Sequence, residues 1–142
     1  MSRKRKMVAF LCMALVFMVQ VCVVFAADYE SIQNGSIGNC NVVARNKITE
    51  NKKYAEAETT ISGSQYGTST SVSATFYYIG VSGGVVGVTG SFQGGNVGQY
   101  GCNYHKNVPS DDYEFTRAES THHAYYQQAE FYVPNLVTVS IP

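Results

Sequence analysis

The chain contains no Trp, and beyond residue 26 it contains no Met and one Leu, Leu136. A helical bundle packs its grooves mainly with such residues, so the composition argues against one. Clustered positive charge is missing too. Beyond residue 26 there are six Lys and Arg against ten Asp and Glu, net −4. A nucleic-acid binder needs a basic footprint, and none is present. No internal repeat occurs, and no His-x-His or His-x-x-x-His spacing suggests a metal site. What the same segment does have is twelve Val and eleven Tyr among many Gly, Ser and Thr, a composition suited to strands.

The formal net charge of zero over 142 residues averages two unlike segments. Arg3, Lys4, Arg5 and Lys6 precede an uncharged apolar run from Met7, which closes on Val24-Phe25-Ala26 before Ala27. A basic start, an apolar middle and small residues at the end read as a secretory signal peptide over residues 1–26. Secretion is the expectation; the alternative is a chain tethered to the membrane by an uncleaved leader, since the run is long enough to span a bilayer. The last residues, Thr-Val-Ser-Ile-Pro, carry no apolar tail, so no membrane span is expected once the leader is removed. Cys12 and Cys22 would leave with the leader. Cys40 and Cys102 then form an even pair, which in an exported domain predicts a disulfide. Closing that loop of roughly 60 residues would stabilise by about 4 kcal/mol.

Residues 27–40 are polar and rich in Gly and Asn, and read as a flexible arm. Residues 41–142 read as the β domain. Strands are expected over 41–49 and 54–62, the second with Ala55, Ala57, Thr59 and Ile61 on one face. Residues 71–79 and 85–93 form an expected hairpin about a turn at Gly80 to Gly84. Gly94-Gly95-Asn96 reads as a further turn, and a short strand follows around Tyr100 to Tyr104. A second hairpin is expected from 113–118 and 123–133, broken by Pro134, with a terminal strand over 136–141. About seven short strands with frequent turn signals predict an all-β fold, a small antiparallel sandwich or open barrel.

Several motifs touch on catalysis. Gly80-Val81-Ser82-Gly83-Gly84 matches the Gly-x-Ser-x-Gly elbow of hydrolases, but Val85-Val86-Gly87-Val88 announces a strand where that motif needs a helix. The Gly94 to Gly101 run lacks the Lys-Ser/Thr of a phosphate loop. His105, His122, His123 and the Asp111-Asp112 pair invite a metal reading, yet adjacent residues on a strand point to opposite faces. Glu56 and Glu58 share a face, as paired catalytic carboxylates or a solvated strand surface both would. No cofactor, metal site or catalytic set is expected. A small exported hydrolase is the weakest alternative.

The Tyr residues point to binding. Tyr77-Tyr78, Tyr125-Tyr126 and Phe131-Tyr132 set adjacent rings on opposite faces of their strands. An exposed Tyr can stack on a sugar or pack against a protein, although Trp, the stronger stacking ring, is absent. The candidate face is Tyr77, Tyr78, Tyr125, Tyr126 and Tyr132, and the expected partner is a protein or a cell-surface component. The segments Asn103-Tyr104-His105 and Thr121-His122-His123-Ala124, with Ala-x-x-Tyr-Tyr at Ala74 to Tyr78, are similar to lactococcin-type secreted bacteriocins. That resemblance implies an antimicrobial protein as the alternative function. The leading expectation is a non-enzymatic binding protein, of the kind found among short exported proteins of bacteria.

Overall fold

A computed structural model of the chain describes residues 27–63, 67–81 and 89–140. The expected leader, residues 1–26, lies outside that range. Every regular element among the described residues is a strand: β1 (Tyr29–Ile37), β2 (Cys40–Ile48), β3 (Tyr54–Ser62), β4 (Thr68–Gly80), β5 (Thr89–Gly98), β6 (Gly101–Asn107), β7 (Tyr113–Tyr126) and β8 (Ala129–Val139). They form two four-stranded antiparallel sheets, ordered β1-β2-β3-β6 and β5-β4-β7-β8. The fold is an all-β sandwich. No helix among the described residues is long and apolar enough to cross a membrane.

Alternation builds the core. On β3, Ala55, Ala57, Thr59 and Ile61 are buried while Glu56, Glu58 and Thr60 face outward. On β4, Thr70, Val72, Ala74 and Phe76 do the same between Ser71, Ser73 and Thr75. Two apolar clusters result. The larger holds Ile48, Ala55, Ala57, Val72, Ala74, Phe76, Cys102, Phe115 and Ala118. The smaller holds Ile37, Cys40, Val42, Ile61 and Ala124, with Tyr126 and Phe131 packed on it. Many inward residues are Ala, so aromatic rings supply the volume. Phe76 stacks on Tyr104 at 5.3 Å and meets Phe115 edge-on at 6.0 Å. Glycines leave room for such rings: a Cβ on Gly94 would sit 2.5 Å from the Tyr104 ring, and one on Gly90 would sit 2.4 Å from Tyr78.

Four local expectations are corrected here. The arm expected over residues 27–40 contains β1, which pairs along its whole length with β2, from Tyr29 opposite Ile48 to Ile37 opposite Cys40. Its polar residues suit an edge strand with solvent on one face, and Gly38, at φ 56°, makes the two-residue turn. Gly94-Gly95-Asn96 does not turn, because β5 runs straight through it, and a Cβ on Gly95 would lie 2.4 Å from the Val72 carbonyl. The strand expected over 123–133 is two strands, with the turn at Gln127-Gln128 and Gln127 at φ 58°. Pro134 does not end its strand. It sits on β8, an edge strand, in a bulge where Pro134 and Asn135 lie opposite Thr121 alone.

The disulfide is the fifth correction. Cys40 and Cys102 are both thiols, buried in different clusters. Cys102 lies opposite Thr59, whereas Asn41 opposite Ser62 places Cys40 level with Gly63. Four residues along the sheet and two strand spacings across it put their Cα atoms roughly 16 Å apart. A disulfide tolerates at most about 7 Å.

Candidate functional site

Of the five candidate Tyr residues, the structure brings three to one surface. Tyr77, Tyr125 and Tyr132 are 37%, 40% and 51% exposed, all on the outer face of the sheet β5-β4-β7-β8. Tyr78 turns inward onto Phe92 and Tyr113, at 5.1 and 5.4 Å, and Tyr126 packs on the smaller core cluster. Each adjacent pair thus divides between core and solvent, as strand geometry requires. The three outward rings are not contiguous. Tyr125 lies opposite Ser69 and Tyr77 opposite Arg117, so eight β4 residues, about 27 Å, separate the two ends of the face.

At the Tyr125 end the rings are organised by His123, a residue outside the candidate Tyr face. His123 stacks on Tyr132 at 4.4 Å and on Tyr125 at 5.9 Å with only 9° between the planes. Cross-strand register explains the meeting, since His123 lies opposite Tyr132 and Tyr125 opposite Glu130. Glu130 Oε1 accepts from His123 Nδ1 at 2.7 Å, and the Tyr125 hydroxyl lies 3.2 Å from the same nitrogen. Hydrogen bonding to the Glu130 carboxyl itself, from His123 first and Tyr125 second, holds it below its ordinary pKa. At the other end Tyr77 donates to Glu119 at 3.1 Å, and Arg117 pairs with Glu119.

Between the ends runs a shallow trough along β4. Its floor is Ser69, Ser71, Ser73 and Thr75, small residues in the alternate positions that face out. One hollow of about 520 Å³ is lined by Ser71, Ser73, Gly95, Val97, Thr121 and His123. Another of about 520 Å³ adjoins it at Ser69, Ser71, Val97, Gln99 and Tyr125. The signal was present in the sequence as Ser69-Thr70-Ser71-Val72-Ser73, but small side chains gain meaning as a floor only once taller neighbours on β5 and β7 are in place.

A second polar group lies inside the sandwich. Asn46, Thr59 and His122 are fully buried, and Ser120 is 4% exposed. Asn46 Nδ2 donates to the Leu136 carbonyl at 2.6 Å, so its Oδ1 faces Ser120 Oγ, 2.5 Å away. Ser120 must give its single proton to that oxygen. His122 Nε2, 2.6 Å from Ser120 Oγ, is then the donor of that pair, and His122 Nδ1 accepts from Thr59 Oγ1 at 2.8 Å. The bulge on β8 makes this necessary: it frees carbonyls that Asn46 and Thr121 cap, the latter on Pro134 at 2.9 Å. Burial away from water pushes the His122 pKa down to about 4, with the neighbouring His123 adding to it.

The remaining candidates disperse. His105 stacks on Tyr54 at 5.7 Å, far in sequence and register from His122. Asp111 gives its backbone carbonyl to Lys53 Nζ at 2.7 Å. Glu58 pairs with Arg45 at 2.8 Å, and Glu56 accepts from Asn103 at 2.9 Å, on the outer face of the first sheet. No group of three or more His, Cys, Asp or Glu among the described residues is placed to hold a metal. Ser82 to Gly84 of the Gly-x-Ser-x-Gly match lie outside the described residues, and β5 follows them. Burial pushes the Cys102 thiol pKa up, opposite to what a thiolate nucleophile needs.

No family model and no curated protein matches the chain.

Proposed function

We propose that this chain is a small exported, non-enzymatic binding protein that engages a surface or protein partner through the outer face of the sheet β5-β4-β7-β8. The observation that carries this reading is the His123-Tyr125-Tyr132 stack, locked by Glu130 on an exposed sheet. Ordering three large side chains at a surface costs side-chain entropy before any partner arrives. A preorganised aromatic cluster recovers that cost on binding, because little freedom is left to lose. Its buried His122 has no carboxylate among its hydrogen-bond partners, and its neighbours Ser120 and Thr59 are sealed from solvent, which supports binding over hydrolysis.

The test is capture from an envelope fraction with the full chain carrying a C-terminal tag. A specific partner that is retained by the native chain and lost with Tyr125→Ala together with Tyr132→Ala supports the reading. Equal retention by the double variant removes it. Growth inhibition of related strains by the protein would favour the bacteriocin-like function instead.

A further inference from the structure

Resting on that binding reading, we infer that the trough along β4 takes an uncharged carbohydrate chain, seated lengthwise between β5 and β7 with the Tyr125 ring at one end. Three observations select this class of ligand.

The first is hydrogen-bonding capacity left unspent. The hydroxyls of Ser69, Ser71 and Ser73 make no hydrogen bond among the described residues, unlike Thr70, which donates to the Gly98 carbonyl at 3.0 Å on the buried side. They recur every second residue, about 7 Å apart, over about 14 Å of strand. Each is both donor and acceptor, which is what a polyol presents in return.

The second is the absence of charge. The residues lining the two hollows over Ser69, Ser71 and Ser73 include no Lys, Arg, Asp or Glu, and Glu119 lines only the smaller hollow beyond them at Thr75. A phosphate, a uronic acid or a nucleic acid would lose hydration there with no counter-charge to replace it. A peptide added as an extra strand is excluded as well. β4 is bonded on one side to β5 and on the other to β7, so its backbone has no open edge.

The third is shape. From β5 to β7 is about 9.5 Å, two strand spacings, which accommodates one row of sugar rings but not a helix of about 10–12 Å diameter. Val97, 76% exposed on β5, and the His123-Tyr125 pair on β7 form the two walls. The aromatic wall supplies a ring for stacking against the apolar face of a sugar.

The probes are hexamers of β1,4-linked glucose, mannose, xylose and N-acetylglucosamine, with carboxymethylated cellulose as the charged comparison, titrated calorimetrically into the full chain. Ser73→Tyr fills the floor with a residue at home on an exposed strand, Tyr125→Ala removes the ring, and Ile32→Ala alters an exposed apolar residue on β1 of the other sheet. Binding of at least one neutral hexamer, weakened about tenfold or more by Ser73→Tyr and Tyr125→Ala and unchanged by Ile32→Ala, is the expected result. If no neutral hexamer binds while envelope capture still depends on Tyr125 and Tyr132, the carbohydrate inference fails and the binding face survives. Binding of the carboxymethylated polymer alone, lost at high salt, also overturns it. Loss of both hexamer binding and envelope capture overturns the inference and the binding face together.

Discussion

Acidification should destabilise this sandwich through one residue. His122 is held neutral in the fold because its ring is fully buried, with a pKa near 4 against 6.5 when exposed. Its hydrogen bonds do not impose neutrality. An imidazolium would donate from Nδ1 to Thr59, which could then donate to the Ser71 carbonyl at 3.1 Å. Desolvation therefore sets most of the shift, and the neighbouring His123 adds to it. Between pH 6.5 and 4 the unfolded chain binds a proton at this site that the folded chain does not, so stability is complete above that window and falls through it. The full difference is about 3 kcal/mol, and about 2 kcal/mol of it is already lost at pH 5, where most carboxylates remain ionised. For a domain whose total stability is typically about 5–15 kcal/mol, that is a large fraction. Urea unfolding at pH 7.5 and pH 5 would show a loss of unfolding free energy of this size in the native chain and a much smaller one in His122→Gln. Equal losses in both proteins would refute the reasoning. Should His122→Gln fail to fold, an NMR titration of the His122 ring in the native chain decides the same point, and a midpoint near 6.5 would sink it.

Three further outcomes follow from packing. Phe76→Ala removes a fully buried ring at the centre of the aromatic cluster and should cost about 3–5 kcal/mol in chemical denaturation. Gly95→Ala drives a methyl against the Val72 carbonyl, which only strand displacement can relieve, and should cost about 1–3 kcal/mol by the same assay. Reductant should leave the melting temperature unchanged, because Cys40 and Cys102 are thiols in separate clusters. A drop of several degrees on reduction would restore the cross-link and contradict the register.

The class of fold was legible from alternation. The β3 residues Ala55, Ala57, Thr59 and Ile61 were grouped on one face correctly because strict period-two patterning has one solution when one face is wet. Turns misled wherever residue type and geometry parted. Gly94 and Gly95 signalled a bend, but their smallness serves the Tyr104 ring and the Val72 backbone within a strand. Gln127 turns the chain at positive φ without Gly or Asn to announce it. Of the candidate face, the division of Tyr77-Tyr78 and Tyr125-Tyr126 between two faces was legible, but which ring of each pair faces solvent was not. Nor was the part played by His123 and Glu130, since it depends on β7-β8 register, which no local pattern encodes. The disulfide expectation failed for a similar reason: an even count of Cys gives parity, and only register gives distance.

The buried polar group also governs how the two sheets line up. Away from the rings of Phe76, Phe115 and Tyr104, the buried Ala44, Ala55, Ala57, Ala74, Ala118 and Ala124 line parts of the interior with methyl groups of little relief. Two such surfaces could slide by one pleat repeat, about 7 Å, with little change in the apolar area they cover. Asn46 reaching from β2 to the Leu136 carbonyl, and Thr59 reaching from β3 to His122, act as pawls against that motion. A slip by one repeat would strand each of these groups in a dry interior, at about 1–3 kcal/mol apiece. Alanine-lined stretches alone would admit several alignments of nearly equal energy; these directional bonds act with the Phe76–Tyr104 stack to single out one.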